Sequence, residues 1–304
     1  MPNPGEKKHT IAAPSIKLAH VYGAQGDNNL IGRNGVKQLE GESKPALLIS
    51  YFYLKGFLEN QSKYAYRDWV MDSGAFSAAN SGKEIVLQDY IDCCKRLMSE
   101  DPTLTEIYAL DVIGDPDASL ANCEEMWRQG VQAIPTFHYG SDWDALMHIA
   151  AKYPKIAIGG CVGKRDKEVF AAQCFARVWP KKMHGFNFAS EKAVMGHPWH
   201  SVDSTDWETK PCKFGHWRSF GSDGGTKYVN WRGSSQNLRA EVEWYLELER
   251  RARIRWKKEM ALLEEISPSV PLSVAPSVRL VVGTGRSVKD VGIDALSRKN
   301  KGKK

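Results

Sequence analysis

No stretch of the 304-residue chain approaches the ~20 consecutive apolar residues that a membrane-spanning helix needs, so a helical membrane protein is excluded. The segment from Met1 to Pro14 carries Lys7 and Lys8 with no apolar run behind them, and a secretory leader is not expected. Cysteine is sparse. Six thiols (Cys93, Cys94, Cys123, Cys161, Cys174, Cys212) are scattered through a large chain, without the density of a disulfide scaffold, and read as reduced thiols of a cytoplasmic protein. Common catalytic signatures are missing too: there is no Walker loop, no G-x-G-x-x-G and no G-x-S-x-G. His197, His200, Cys212 and His216 have ligand chemistry without the spacing of a zinc site. No metal or other cofactor is therefore expected, with a structural zinc kept as the weaker alternative.

What is present is the balance of a soluble globular protein, 42% hydrophobic and 26% charged. The net charge of +6 is unevenly placed. Residues 277–304 hold eight Lys/Arg against Asp290 and Asp294, which accounts for the whole excess. Within the body, residues 101–150 carry nine acidic residues and only Arg128, whereas residues 208–240 carry six basic residues against Glu208 and Asp223. This later stretch interleaves Lys210, Lys213, Arg218, Lys227 and Arg232 with Trp207, Phe214, Trp217, Phe220, Tyr228 and Trp231, the mixture of phosphate-binding and base-stacking side chains that a nucleic-acid surface uses. The competing reading is a solvated loop whose rings fold into the core.

Between about residues 68 and 207 a beat repeats: a short apolar run, a glycine or polar turn, then an amphipathic stretch. The runs are Trp69–Met71, Ile107–Val112, Ala133–Phe137, Ile156–Ile158, Met183–Phe188 and Ser201–Asp203. Most are continuous rather than alternating, as expected for parallel strands buried on both faces. Helical patterns fall at Ile85–Met98, Ala118–Gln129, Trp143–Lys152, Lys167–Val178 and Ser190–Met195, and further strands fit at Lys17–Tyr22 and Leu47–Tyr53, with a partly helical Leu47–Leu58 as the alternative for the second. Eight such units in about 250 residues predict an α/β fold of the (β/α)8 TIM-barrel type, a doubly wound open sheet being the competitor. Glu208–Arg232 reads as a long loop or small insertion. A long charged helix over Leu238–Ile266, with Ser234 or Ser235 as N-cap, would close a body of residues 1–266. A Pro/Ser linker at 267–276 and the basic tail at 277–304 follow.

In a barrel, the active face lies at the carboxyl ends of the strands. Those ends carry Asp72-Ser73-Gly74-Ala75-Phe76, Asp111, His138, Gly159-Gly160-Cys161, His184-Gly185-Phe186 and Asp203. Each has a plainer reading: Asp72, Asp111 and Asp203 as turn or loop ligands, Asp115 before Pro116 as a cap, and the glycine pair as a tight turn. Cys161 as a nucleophile would need an activating neighbour that the sequence does not supply. The joint placement of three carboxylates on successive strand ends is what points to a pocket for a flat polar ligand.

In this order and spacing the motifs resemble the tRNA-guanine transglycosylase superfamily, and within it the phage-type DNA branch (DpdA-like) that exchanges guanine in DNA for a 7-deazaguanine. The resemblance covers residues 68 to 207. It implies Asp203 as nucleophile at the anomeric carbon and Asp72 as the general acid/base. It further implies Asp111, Ser73, Gly159, Gly160 and His138 around the edge of the base, with Phe76 and His184 or Phe186 stacked against it. DNA and a 7-deazaguanine base would be the partners, with no membrane; oligomeric state is left open. The tRNA enzymes' Cys-x-Cys-x2-Cys…His site is not reproduced, since only Cys212 follows Asp203, and their Arg-rich segment is also absent. Both departures favour a substrate other than tRNA. The remaining alternatives are a tRNA transglycosylase, a non-catalytic DNA-binding barrel, and a lyase or aldolase that would want a strand-end lysine or metal.

Overall fold

A computed structural model describes residues 15–19, 44–63, 66–209, 216–230 and 235–267. Lys210, Lys213, Cys212 and Arg232, the C-terminal part of the expected strand at 17–22, most of the linker and the whole basic tail lie outside the described residues. The chain is mixed α/β with parallel sheet pairing, and it divides into two compact units. Of the described residues, one contains 47–136; the other contains 15–18, 44–46 and those from 137 to 267.

The 47–136 unit is built on three strands, β2 (Ala46–Ser50), β3 (Trp69–Asp72) and β4 (Leu104–Ile107), in the order β4-β3-β2 and parallel throughout. Every residue of β2 is buried, which is why Ala-Leu-Leu-Ile-Ser reads as an unbroken apolar run. Helix α1 (Leu54–Asn60) begins after a single 3-10 turn at Tyr51–Tyr53, so the expected strand Leu47–Tyr53 stops three residues early. Helix α2 (Ala75–Asn80) was not anticipated; α3 (Leu87–Glu100) and α4 (Pro116–Arg128) were, within two residues at each end. Asp115 caps α4, its Oδ1 accepting from Ala118 N–H at 2.9 Å with Pro116 following. The run expected as a strand at Ile107–Val112 is β4 shifted toward its N-terminus. Beyond Ile107 the ladder reduces to one parallel bridge, Tyr108 to Ile134, and the apolar residues that follow are loop.

The second unit contains β1 (Ser15–Ala19), β5 (Thr136–His138), β6 (Lys155–Gly159), β7 (Lys182–Gly185) and β8 (Ser201–Ser204), in the order β1-β8-β7-β6-β5. Helices α5 (Trp143–Lys152), α6 (Lys167–Val178) and α7 (Glu191–Gly196) alternate with these strands. Asp142 and Ser190 cap α5 and α7 through their side chains. After α8 (Asp206–Thr209) the stretch expected as a long loop or small insertion holds an antiparallel hairpin, β9 (His216–Phe220) and β10 (Thr226–Asn230). Its turn, Gly221-Ser222-Asp223-Gly224-Gly225, is a hairpin signal that the lack of period in the flanks obscured; Gly224 sits at φ +78°.

The expected continuous C-terminal helix is two helices, α9 (Ser235–Arg255) and α10 (Lys257–Ile266). They part at Trp256, where Arg255 Nε and Trp256 Nε1 donate to the carbonyls of Met195 and Val194, at 2.7 and 3.0 Å. These are carbonyls of the last turn of α7, which needs outside donors. No described helix is long and apolar enough to cross a membrane.

Candidate functional site

Parallel pairing puts the strand carboxyl ends of a unit on one edge, and the nominated residues Asp72, His138, Gly159 and Asp203 lie at or next to such ends. In the second unit His138 and Gly159 end β5 and β6, Phe186 follows β7, and Asp203 is the penultimate residue of β8. The ends are laced together: Tyr139 N–H donates to Gly159 O at 2.9 Å and Phe186 N–H to Ile158 O at 3.0 Å. Gly160 has φ +70°, and a Cβ there would stand 3.1 Å from Tyr139 N, so both backbone conformation and space call for glycine. A Cβ on Gly185 would meet the Trp199 ring at 2.6 Å, which explains the glycine between His184 and Phe186.

Asp203 is only 7% exposed. Its Oδ1 accepts from Asn187 N–H at 2.8 Å, and His184 Nε2 faces the same oxygen at 3.5 Å, an electrostatic contact longer than a good hydrogen bond. Asn187 holds the rare non-glycine φ of +63°, a conformation that asparagine tolerates and that turns its N–H toward the carboxylate. Lys167 Nζ donates to the carbonyl of the same residue at 2.8 Å. Among the described residues, the polar contacts of Asp203 fall on Oδ1 rather than Oδ2. His184 is fully buried, with its ring edge-on to Phe186 at 4.7 Å.

Behind these residues lies a layer the sequence reading missed. Lys155 Nζ donates to Ser201 Oγ at 3.0 Å, and Ser201 Oγ stands 2.8 Å from His184 Nδ1. All four side chains, from Lys155 to Asp203, are buried. A signal was available: Lys155, His184, Ser201 and Asp203 are polar positions inside strands too short and too buried to have a solvated face. Burying an ammonium costs several kcal/mol before any pairing, so such residues call for a functional reason.

The other unit carries the remaining nominated residues. Asp72 ends β3 and its Oδ2 accepts from Gly74 N–H at 2.9 Å, closing the turn into α2. Gly74 sits at φ +75°, where a Cβ would lie 2.4 Å from Ser50 Oγ. Ser73 is buried, and Asp111 is half-buried in the loop after β4. That loop is pinned by α4: Asn122 Nδ2 donates to Leu110 O at 3.0 Å and Val112 N–H to Ser119 Oγ at 2.8 Å. Phe76 is 59% exposed, and Val112 and Ile113 are exposed beside Asp111. Apolar side chains held in water on α2, after β3, and on the loop after the paired strand β4 suit stacking against a flat ring.

Two nominations change. Arg218 is not a surface cation: it is buried, with its backbone N–H and guanidinium bound to the buried carboxylate of Glu241, Nε to Oε1 at 2.6 Å. Trp207 is a core ring as well, whereas Lys227 and Tyr228 are exposed on β10. Cys161 is buried, and burial pushes its thiol up to about 11, with Lys167 acting weakly in the opposite direction. It is a neutral thiol at pH 7. In the folded protein Cys161 is expected to resist alkylation at pH 8 and to react once denatured; rapid labelling of the native thiol, followed by mass spectrometry, would contradict this. Since the folded state holds this proton more tightly than the unfolded state, its contribution to stability falls as pH rises from the ordinary thiol range toward 11.

Among the described residues no group of three or more His, Cys, Asp or Glu is placed to hold a metal ion. The chain matches no protein-family model and no curated protein sequence.

Proposed function

We propose that the protein is a DNA base transglycosylase that exchanges guanine for a 7-deazaguanine through a covalent Asp203–deoxyribose intermediate. The observation that carries this reading is Asp203, a nearly buried carboxylate at a strand carboxyl end with one oxygen held and the other available. Exchange with retention requires such a nucleophile and a second carboxyl group to handle the base proton on an oxocarbenium-like path. Asp203 Oδ2 attacks C1′ as the C1′–N9 bond breaks, and the departing guanine takes a proton at N9. The incoming base then loses its own ring proton, bonds to C1′ and releases the carboxylate. Asp72 is the proposed proton carrier, and Asp111 the acceptor for the amide and amino edge of the base.

Phe76, Val112 and Ile113 supply apolar surface for the base once it leaves the DNA stack, where lost stacking costs a few kcal/mol. The finer architecture of this reading is a (β/α)8 barrel, and its setting is phage DNA hypermodification that evades restriction. No redox step occurs, so the reaction as written uses no cofactor.

The test is incubation with guanine-containing DNA and candidate 7-deazaguanines, followed by mass spectrometry of the nucleosides. Incorporated deazaguanosine with released guanine is the expected result. Modification of tRNA alone in a parallel reaction would move the assignment to a tRNA transglycosylase. Salt-dependent DNA binding with no exchange and no covalent adduct would leave a non-catalytic DNA-binding protein.

A further inference from the structure

The strongest feature behind the reacting carboxylate is the buried chain from Lys155 through Ser201 and His184 to Asp203. Parallel register builds it: Lys155 pairs with Lys182, Ala157 with His184, and His184 with Ser201, so alternate positions of β6, β7 and β8 face one another. Lys155 opens β6 and Ser201 opens β8, while Asp203 lies two residues further along the same face.

The order of donors along this chain follows from the groups themselves. An ammonium only donates, so Ser201 Oγ accepts from Lys155 Nζ at 3.0 Å. A hydroxyl carries one proton, and the neighbour placed to take it is His184 Nδ1, at 2.8 Å. At the far side of the ring, Nε2 faces the carboxylate oxygen Oδ1 of Asp203 at 3.5 Å. A lone pair on Nε2 would be set against that negative oxygen, whereas an N–H there is attracted to it. Both ends of the ring therefore favour the same tautomer.

We propose that Lys155 and Ser201 are positioning residues that hold His184 as the neutral Nε2–H tautomer, so that His184 and the Asn187 amide fix Asp203 Oδ1 and present Oδ2 to the substrate. The consequence for reactivity rests on the base-exchange reading; the tautomer does not.

The experiment is nitrogen NMR of the full chain labelled in its histidine rings, with His184 assigned through its own backbone amide. The expected spectrum has Nδ1 resonating as an unprotonated acceptor and Nε2 as a protonated nitrogen. A protonated Nδ1 in the wild-type protein overturns the proposal. Ser201→Ala removes one atom, so it tests the relay with little demand on folding, which thermal unfolding checks. The variant is expected to lose the single Nε2–H state and to lower kcat by about 10- to 100-fold with KM unchanged, as when the outer partner of an oriented histidine is removed. Ser201→Thr, which keeps the hydroxyl, is expected to restore both.

Lys155→Met should act in the same direction as Ser201→Ala; if it does not fold, the two Ser201 variants decide alone. An unchanged Nε2–H signal in Ser201→Ala would remove the relay from consideration. Absence of base exchange in the wild-type protein would overturn the proposed reaction, while the ring signals would still decide the tautomer.

Discussion

Asp203→Asn is expected to abolish base exchange, with kcat reduced by at least about 10⁴-fold, the scale seen when a nucleophile is removed from a group that acts as a unit. The substitution nearly preserves shape. The asparagine oxygen can still accept from Asn187 N–H, and the residue keeps its place in β8, so the folded structure should persist. What disappears is the negative oxygen that attacks C1′ and then stabilises the sugar as the base departs. DNA binding should survive because phosphate contacts dominate that affinity. A covalent protein–DNA adduct, trapped with a slow base analogue and detected by intact-protein mass spectrometry, should be seen with the wild-type chain and be missing from the variant. Normal exchange by Asp203→Asn would rule out the covalent mechanism.

Glu241→Ala is expected to be the most destabilising of the charge substitutions. Glu241 is completely buried and accepts from Arg218 through both the backbone N–H and the guanidinium. The guanidinium also lies over the Trp244 ring at 3.7 Å and near the Tyr245 ring at 4.8 Å. Removing the carboxylate leaves a cation buried among aromatic rings, a change that costs about 3–5 kcal/mol in buried pairs. For a chain of this size that corresponds to a fall in Tm of roughly 10 °C. Replacing both partners, Arg218→Met with Glu241→Leu, should recover much of the loss, because no unpaired charge then remains. Calorimetry of the three proteins checks this. Equal stability of Glu241→Ala and the wild-type chain would show that the pair is not held as described.

The same pair shows where charge counting misleads. Arg218 belongs to a basic, aromatic stretch, and its neighbours in sequence favoured a phosphate-binding role. Its partner is 23 residues away on α9, so nothing local announced that its charge is neutralised inside the fold. The hairpin β9–β10 was hidden for a related reason: half-buried edge strands mix ring, cation and hydroxyl positions, and only the glycine-rich turn marks them. The long helix was legible as helix, but at its break the Trp256 ring meets a carbonyl of α7 that lies 62 residues earlier.

Elements that bury both faces were legible. The apolar runs locate β6 and β8 within one residue and α5 and α6 at their observed ends, because continuous burial leaves a continuous hydrophobic signal and a one-sided helix leaves a 3.6-residue period. Asp72, His138, Gly159 and Asp203 were readable as strand-end residues for the same reason. The sequence by itself thus determined the alternation of strand and helix and which polar residues would stand at strand ends. Only the tertiary structure decided which atoms meet. The path from Lys155 through Ser201 and His184 to Asp203 joins three strands and depends on their register. Hydrophobic burial is non-directional and leaves its trace in composition and period, whereas a hydrogen bond forms only when donor and acceptor are within about 3 Å and aligned. That alignment is a property of packed strands, and no local stretch of sequence contains it.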